Sequence, residues 1–487
     1  MLNFTVNPNG PRPLVEQLVA GVRQHIESRL LRPGARLPSI RALASRQKVS
    51  RFTVIEAYDR LVASGHVESR RGSGFYVAAP QVPETAAERT GGLERAVDVA
   101  NLIGELYAED DLTKFASGCL PDSLLRESGI RKHLRAIATE PGRHVTEGGS
   151  ASGYRPLREQ LQRRLADLGI AANPSQILMT HGVTHGLDLI IRYLLAPGDT
   201  VLVEDPGYYN LAGHLKLAGV RLAGVPRLVD GPDVDALEAI AAERKPKALF
   251  LVSVLHNPTS TTLSPAQAHR LLRIAERHRF YVVEDDVYAD WLPGAPARLA
   301  SLDRLERVFY LSGFSKTVSS SLRVGFIAAH ADAIADLTRM KLLTFLNTSE
   351  ASERLIHSIL VGGQYRKHLD RIRAHFDVAR SRMTRELEHA GWRLYGEPAG
   401  GMLLWARHPD VDNSLPVAEA AVARGMRLAP GAAFRPNHET SPYMRFNAAV
   451  GGSPALYELL AEAPTIIGKS RRGASDIPAF APSAAAA

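Results

Sequence analysis

Apolar residues recur at helical spacing in three short segments near the start of the chain. Ser39 and Ser50 each precede one of these segments, as serine does when it caps the first turn of a helix. The third segment ends at Gly65, a residue that commonly terminates helices. The predicted inward faces are Leu14, Leu18, Val22 and Ile26; Ile40, Leu43 and Ala44; and Val54, Ala57, Tyr58 and Leu61.

Two short extended segments follow the third helix. His66 to Ser69 and Phe75 to Val77 flank the basic, glycine-containing turn Arg70-Arg71-Gly72-Ser73-Gly74. Three helices followed by a hairpin predict a winged helix-turn-helix.

Farther along the chain, apolar strand-like runs alternate with helical patterns. This alternation predicts an α/β fold with a mostly parallel sheet. The predicted strands are Gln176–Thr180, Thr200–Val203, Ala248–Val254, Phe280–Glu284, Arg307–Leu311 and Val324–Ala328.

Composition divides the chain further. We predict a winged helix-turn-helix domain at 1–78 and an α/β domain at 98–465. The Pro-, Glu- and Thr-rich residues 79–97 between them predict a linker, and the Ser-, Ala- and Pro-rich residues 466–487 predict a disordered tail. The 487 residues are enough for two or three domains.

The net charge of +8 is concentrated at the start of the chain. Residues 1–80 contain twelve Lys or Arg and five Asp or Glu, so the remainder is nearly neutral. A small basic module suggests a polyanionic partner, although a solvated basic surface gives the same charge.

The remaining composition indicates a cytoplasmic protein. The first residues lack a basic segment followed by an apolar run, and no apolar stretch approaches the length of a membrane span. Cys119 is the single cysteine, which excludes an internal disulfide. We interpret it as a small buried apolar residue.

The third helix carries a DNA-reading pattern. Its first turn, Ser50-Arg51-Phe52-Thr53, offers the small polar and basic side chains that enter the major groove, and the preceding helix begins Ile40-Arg41. Residues 37–77 resemble the GntR family of bacterial regulators, which implies double-stranded DNA as a partner. The resemblance implies DNA contacts from Arg41, Ser50, Arg51, Thr53 and Arg71 in the wing; Arg36 and Arg70 remain alternatives.

The α/β domain carries the groups that pyridoxal phosphate (PLP) requires. A lysine must bind the cofactor aldehyde, and a carboxylate must keep the pyridine nitrogen protonated. Lys316 follows an apolar strand and lies among hydroxyl residues, with Arg323 seven positions on. Asp285 lies at the carboxyl end of another strand, where α/β sheets bind ligands.

Three more strand ends carry polar residues. These are His256 to Ser260, Glu204 to Tyr209, and Thr180 to Gly186, which opens a helix whose first amides suit a phosphate. Each of these motifs, taken alone, is also typical of a solvated surface loop. Together they are much harder to attribute to chance.

Residues 98–465 resemble the fold-type I aminotransferases. With the N-terminal module, the chain resembles the MocR subfamily of GntR regulators, in which an aminotransferase-like domain is fused to the DNA-binding domain. The resemblance implies PLP bound by Lys316, with Asp285 at the pyridine nitrogen, Tyr288 and Asn257 at the ring oxygen, Tyr208 stacked on the ring, Gly182, Val183, Thr184, Ser315 and Arg323 at the phosphate, and Arg445 at a substrate or effector carboxylate.

Three positions depart from the family pattern. Val183 replaces a common hydroxyl residue, Asp286 replaces a glutamate, and Gly148 replaces a tyrosine that reaches the partner chain's phosphate. His181 and His185 are four residues apart, but no third ligand accompanies them, so we expect no metal.

Two function classes stay open. The chain is either a PLP-dependent regulator that senses PLP or an amino compound, or an active aminotransferase with an appended DNA-binding module. The fusion favours the regulator, because a helix-turn-helix has no use in transamination. We expect a homodimer, since fold-type I sites lie at subunit interfaces. The sequence identifies neither the effector nor the operator.

Overall fold

The computed structural model describes residues 4–8, 10, 12–27, 31, 34–70, 73–78, 104, 112–115, 117–139, 146, 148–294, 296 and 298–468. The chain divides into two compact units, Met1–Thr90 and Gly91–Ala487. The predicted linker, and the predicted tail from residue 469 on, lie outside the described residues.

The first unit contains three helices and a hairpin. Ser39 and Ser50 cap the second and third helices, because their hydroxyls accept hydrogen bonds from the amides of Ala42 (3.2 Å) and Thr53 (3.0 Å). Leu18, Leu43 and Val54 are fully buried in the core between the helices. The elements are α1 (Leu14–Glu27), α2 (Ile40–Gln47), α3 (Arg51–Ala63), β1 (Val67–Arg70) and β2 (Gly74–Val77).

The hairpin has the geometry of a wing. The two strands pair antiparallel from Val67 opposite Val77 to Arg70 opposite Gly74, and Arg36 forms an additional bridge with Tyr76. The predicted winged helix-turn-helix is therefore confirmed.

The second unit is built on an eight-stranded sheet in the order β4-β11-β10-β9-β8-β5-β6-β7. The pairs among β10, β9, β8, β5 and β6 are parallel, and β11 runs antiparallel to both of its neighbours. The strands are β4 (Ile177–Thr180), β5 (Thr200–Asp205), β6 (Arg221–Leu228), β7 (Gly231–Pro232), β8 (Ala248–Val252), β9 (Tyr281–Asp285), β10 (Val308–Gly313) and β11 (Gly325–Ala328).

Both faces of this sheet are covered. Successive side chains of a strand point to opposite faces, so Leu202 packs in one apolar core while Val201 and Val203 pack in another. This explains the continuous apolar runs in the sequence, which are typical of sheets buried on both sides.

Helices connect and follow these strands. They are α4 (Asp122–Leu125), α5 (Ile130–Thr139), α6 (Arg155–Asp167), α7 (Gly182–Leu194), α8 (Tyr209–Leu217), α9 (Val234–Arg244), α10 (Pro265–His278), α11 (Leu299–Asp303), α12 (Ala331–Thr344), α13 (Glu350–Val361), α14 (Gln364–His389), α15 (Leu415–Val422) and α16 (Pro454–Ala461).

A smaller sheet forms a third core. Its order is β12-β13-β16-β15, with Trp392 and Phe446 buried beside it. Ile467 also lies in this core, so the packed chain continues past residue 465, where the composition suggested that it ends. The remaining strands are β3 (Thr113–Lys114), β12 (Arg393–Leu394), β13 (Leu403–Arg407), β14 (Met426–Arg427), β15 (Ala429–Pro430) and β16 (Tyr443–Asn447).

Each of the six predicted strands lies within about two residues of an observed strand, and the α/β fold class is confirmed. The sequence analysis did not predict β6 (Arg221–Leu228) or the strands of the smaller sheet. Within the described part of the chain, no helix is long and apolar enough to cross a membrane.

Candidate functional site

The first turn of α3 presents the predicted DNA-contacting residues. Ser50 accepts the Thr53 amide, and the two hydroxyls lie 2.8 Å apart, so both side chains also stabilise the helix start. Arg51 on this turn and Arg41 at the start of α2 are exposed. Arg71 lies outside the described residues.

Two alternative basic residues lie at the hairpin. Arg70 pairs with Glu68 at 3.5 Å, and its guanidinium lies 4.5 Å from the centre of the Tyr76 ring. Arg36, opposite Tyr76, is exposed. Its exposure and its place beside the hairpin keep it available for a phosphate contact.

The second unit contains a cavity of about 400 Å³, in the size range of small-molecule sites. It lies where the carboxyl ends of the parallel strands meet. Every residue predicted to hold the cofactor, except Gly182, lines it together with Arg445. The predicted residues in its wall are Val183, Thr184, Tyr208, Asn257, Asp285, Tyr288, Ser315, Lys316, Arg323 and Arg445.

Lys316 follows β10 and points into this cavity. Its Nζ donates to the carbonyl oxygen of Gly118 at 2.7 Å. Burial lowers the pKa of Lys316, because the charged ammonium loses its hydration. A lowered pKa favours the neutral amine, which is the form that attacks an aldehyde.

The three consecutive acids at the end of β9 have different surroundings. Glu284 accepts the amides of Leu299 (3.0 Å) and Ala300 (2.8 Å) at the start of α11. Asp286 accepts from Arg298 Nε at 2.8 Å and from the Tyr310 hydroxyl at 2.9 Å. Both therefore have structural partners.

Asp285 is the acid that lines the cavity. It accepts the Val287 amide at 3.2 Å, and burial raises its pKa to about 7. The raised pKa means that burial disfavours the charged carboxylate when no cation is bound beside it. A protonated pyridine nitrogen is a cation that would stabilise the charged form. This environment fits the predicted role of Asp285.

Arg445 lines the cavity and is fully buried, so it is not a solvated surface arginine. Its NH1 donates to Asn257 Oδ1 at 2.9 Å. The guanidinium carbon lies 4.8 Å from the centre of the Phe434 ring, a cation–π contact that helps to hold the side chain. Asn257 therefore uses its oxygen on Arg445 and keeps its amide N–H donors for a ring oxygen.

The residues predicted to hold the phosphate lie around the start of α7. Gly182 has a left-handed φ of 73°, and a Cβ there would lie 2.6 Å from Arg323 NH2. Glycine thus allows Arg323 to approach the helix start, where the dipole also favours an anion. Arg323 NH1 donates to the Ser315 hydroxyl at 3.4 Å.

The sequence analysis missed the segment at Gly118. Its carbonyl contacts Lys316, and Asn447 Nδ2 holds it by donating to Ser117 O (2.6 Å) and Cys119 O (2.9 Å). No local motif signals these contacts, because they join residues about 200 to 330 positions apart.

The sequence analysis also missed two residues for which the sequence does carry a signal. Ser320 and Ser321 line the cavity, and a hydroxyl run between Lys316 and Arg323 is a readable signal. Cys119 also lines the cavity and is only partly buried, so its interpretation as a buried packing residue is wrong.

His181 and His185 are bonded to each other at the start of α7. The Nδ1 of His185 accepts the His181 amide at 3.1 Å, and burial lowers the pKa of His185 to about 4. Among the residues that the structure describes, no group of three or more His, Cys, Asp or Glu is placed to hold a metal ion.

The chain matches two family models. Residues 111–463 match the class I and II aminotransferases, and residues 14–77 match the bacterial regulatory proteins of the gntR family.

Curated relatives fall into two groups. The HTH-type transcriptional regulator TauR of Rhodobacter capsulatus is 30% identical over 94% of this chain and 97% of that protein. The 2-aminoadipate transaminase of Thermus thermophilus is 31% identical over 68% of this chain and 84% of that enzyme. TauR thus shares nearly the full length of this chain, whereas the transaminase shares about two thirds of it.

Solved structures agree with this division. Kynurenine aminotransferase from Pyrococcus horikoshii superposes with a TM-score of 0.69 at 27% identity, covering 76% of this chain and 94% of that one. LysN from Thermus thermophilus, solved with a phosphopyridoxyl-leucine adduct, gives a TM-score of 0.65 at 27% identity, covering 76% and 96%. The chain therefore belongs to the MocR subfamily of GntR-family transcription regulators, with a winged helix-turn-helix fused to a PLP-binding fold-type I aminotransferase domain.

Proposed function

We propose that this protein binds operator DNA through its first unit and that its second unit uses PLP to sense an amino compound. One observation carries the proposal: a single chain joins a winged helix-turn-helix to a cavity lined by Lys316, Asp285 and all but one of the other residues predicted to hold the cofactor.

In the DNA-binding unit, α3 enters the major groove. Arg51, Ser50 and Thr53 on its first turn contact the bases or the adjoining phosphates, with Arg41 and Arg71 on the flanking backbone. The excess of basic residues in 1–80 supports this role, since phosphate neutralisation supplies much of the affinity of such modules.

In the second unit, each of the predicted cofactor residues has one task. Bound PLP supplies an aldehyde that reacts with amines and a ring that withdraws electrons. Lys316 binds the aldehyde, Asp285 holds the proton on the pyridine nitrogen, and Tyr208 covers the ring. Tyr288 and Asn257 donate to the ring oxygen, and Gly182, Val183, Thr184, Ser315 and Arg323 hold the phosphate.

Arg445 selects the effector. A buried guanidinium at the cavity edge binds a carboxylate with two parallel hydrogen bonds, which are stronger and more directional than those of a solvated group. We therefore infer that the effector carries both an amino group and a carboxylate.

We further propose a cytoplasmic homodimer. A dimer would present two copies of α3 to two half-sites of an operator. Gly148 replaces the tyrosine that reaches across in related enzymes, so the phosphate contact from the partner chain is absent from this proposal. Light scattering at micromolar concentration with PLP bound should give a dimer; a monomer would contradict it.

A second candidate function is amino transfer. Its support is the intact catalytic set and the similarity of the second unit to transaminases. Any turnover is compatible with regulation if it is slow.

Two assays on the full-length protein separate the candidates. Binding to the DNA upstream of its own coding region is measured by fluorescence anisotropy with PLP and each common amino acid in turn. Amino transfer to 2-oxo acids is followed in parallel over many turnovers. Regulation predicts a change in DNA affinity with one class of amino acid. Efficient turnover without any effect on DNA binding would favour the enzyme.

A further inference from the structure

Two large apolar side chains lie on the solvent face of α3. Phe52 in the first turn is 82% exposed, and Ile55, one turn farther along the same face, is 37% exposed. The opposite face of the helix is fully buried through Val54, Tyr58 and Leu61. Neither Phe52 nor Ile55 belongs to the apolar core of the DNA-binding unit.

Exposed basic residues lie near the start of α3, on the side of Phe52. Arg51 precedes Phe52, Lys48 lies in the turn that leads into α3, and Arg46 lies in the last turn of α2; all three are exposed. Glu56, which follows Ile55, is paired with Arg60 at 2.7 Å. An apolar surface with a cationic rim is complementary to a DNA groove, where phosphates line the edges and the floor is less polar. An apolar protein partner would gain nothing from the cations.

The floor of the major groove offers one apolar group, the 5-methyl of thymine. We propose that Phe52, supported by Ile55, packs against thymine methyl groups and thereby selects thymine in the operator. This inference rests on the proposed function of α3, and it assigns a base preference to a residue outside the predicted polar contact set.

The test removes each side of the proposed contact in turn: the thymine methyl group from the DNA and the aromatic ring of Phe52 from the protein. A duplex is first recovered by in vitro selection from a random-sequence library with the full-length protein. Each thymine is then replaced singly by deoxyuridine, which differs only in lacking the methyl. Affinities are measured for the unmodified protein and for Phe52→Ala, Ile55→Ala and the control Val378→Ala, which removes an exposed apolar side chain from α14.

We expect one or two thymines per half-site at which deoxyuridine weakens binding about fourfold, the effect of leaving one methyl group unburied. Phe52→Ala should weaken binding to the thymine duplex and abolish this sensitivity, so that the two changes together cost less than their sum. Val378→Ala should keep the sensitivity.

Several outcomes would overturn the inference: selected duplexes without thymine, no loss with deoxyuridine, or equal losses for the unmodified protein and Phe52→Ala. A loss that follows a change in oligomeric state, measured by light scattering, would instead assign Phe52 to self-association. Thermal unfolding should be unchanged in Phe52→Ala, since the ring is exposed. If no DNA sequence is enriched at all, the proposed function itself fails, which is a separate result.

Discussion

Asp286 Oδ2 and Arg298 Nε lie 2.8 Å apart in an ion pair from which solvent is almost completely excluded. The adjacent Asp285 lines the cofactor cavity instead. Two neighbouring carboxylates of the same type therefore have different surroundings: Asp286 is held in a buried ion pair, and Asp285 faces the cavity in which we propose that it binds the cofactor.

This separation predicts different effects of two alanine substitutions. Asp285→Ala should weaken PLP binding by about 1.5–3 kcal/mol, because it removes a charge-assisted contact. Asp286→Ala should lower the free energy of unfolding by about 3–5 kcal/mol, because it leaves Arg298 buried without its partner. PLP titration and urea unfolding measure the two quantities. If Asp286→Ala lost more PLP affinity than Asp285→Ala, Asp286 rather than Asp285 would be the residue that binds the cofactor.

A pH dependence follows from the environment of Asp285. Its pKa rises from 3.8 to about 7 in the folded protein without cofactor, so the folded state binds the proton more tightly than the unfolded chain. Stability from this group is therefore present at low pH and is lost as pH rises from about 4 to about 7. Asp285→Asn cannot ionise and should lack this loss.

Urea unfolding of the two proteins at several pH values tests this expectation. The unfolding free energy of Asp285→Asn should exceed that of the unmodified protein at about pH 8, and the difference should shrink toward about pH 5. Asp122→Asn, a change at an exposed acid on α4, is the control and should show no such trend. A constant difference across the range would mean that Asp285 is not desolvated.

The partly buried Lys316 and the fully buried Lys341 should respond differently to borohydride. Lys316 contacts one carbonyl in the cavity, whereas Lys341 donates to Ala151 O, Met179 O and the Thr348 hydroxyl. Reduction of the PLP-bound protein should attach the cofactor to Lys316. Lys316→Ala should lose the label, as measured by peptide mass spectrometry.

Lys341→Met is the matched variant. It should keep the label on Lys316, and it should lower the unfolding free energy by about 1–3 kcal/mol because buried acceptors lose their donor. A label on Lys341 in the unmodified protein would refute the assignment of the cofactor site.

Arg51 should show whether the start of α3 reads bases. Arg51→Ala should cost about 1–3 kcal/mol at the selected DNA site if its guanidinium binds a guanine, with the salt dependence unchanged. A phosphate contact would instead weaken binding to all sequences and reduce the logarithmic salt slope by about 0.9. We expect base reading, because Arg51 is exposed on the turn that enters the groove.

The control for this experiment is Arg60→Ala. Arg60 lies in the last turn of α3 and is paired with Glu56 at 2.7 Å, so its charge is already compensated. It should change neither the base preference nor the salt slope by more than a small amount. Equal effects of the two substitutions would assign Arg51 to the general charge of the unit.

The sequence by itself determined the features that depend on neighbouring residues. Ser50 predicts the start of α3 because a serine cap acts within three residues, and the buried face of that helix follows from its period. The strand ends at Asp285 and Lys316 were readable in the same way, because parallel strands bring their carboxyl ends to one edge of a sheet.

Only the tertiary structure decided which side chains face one another. Three consecutive acids look alike in the sequence, and their roles separate because Glu284 meets the start of α11, Asp286 meets Arg298, and Asp285 meets the cavity. Gly118 reaches Lys316 across 198 positions of chain, and Arg445 reaches Asn257 across 188. No periodicity or local motif encodes such pairs, because they form only when separate elements pack together and exclude water.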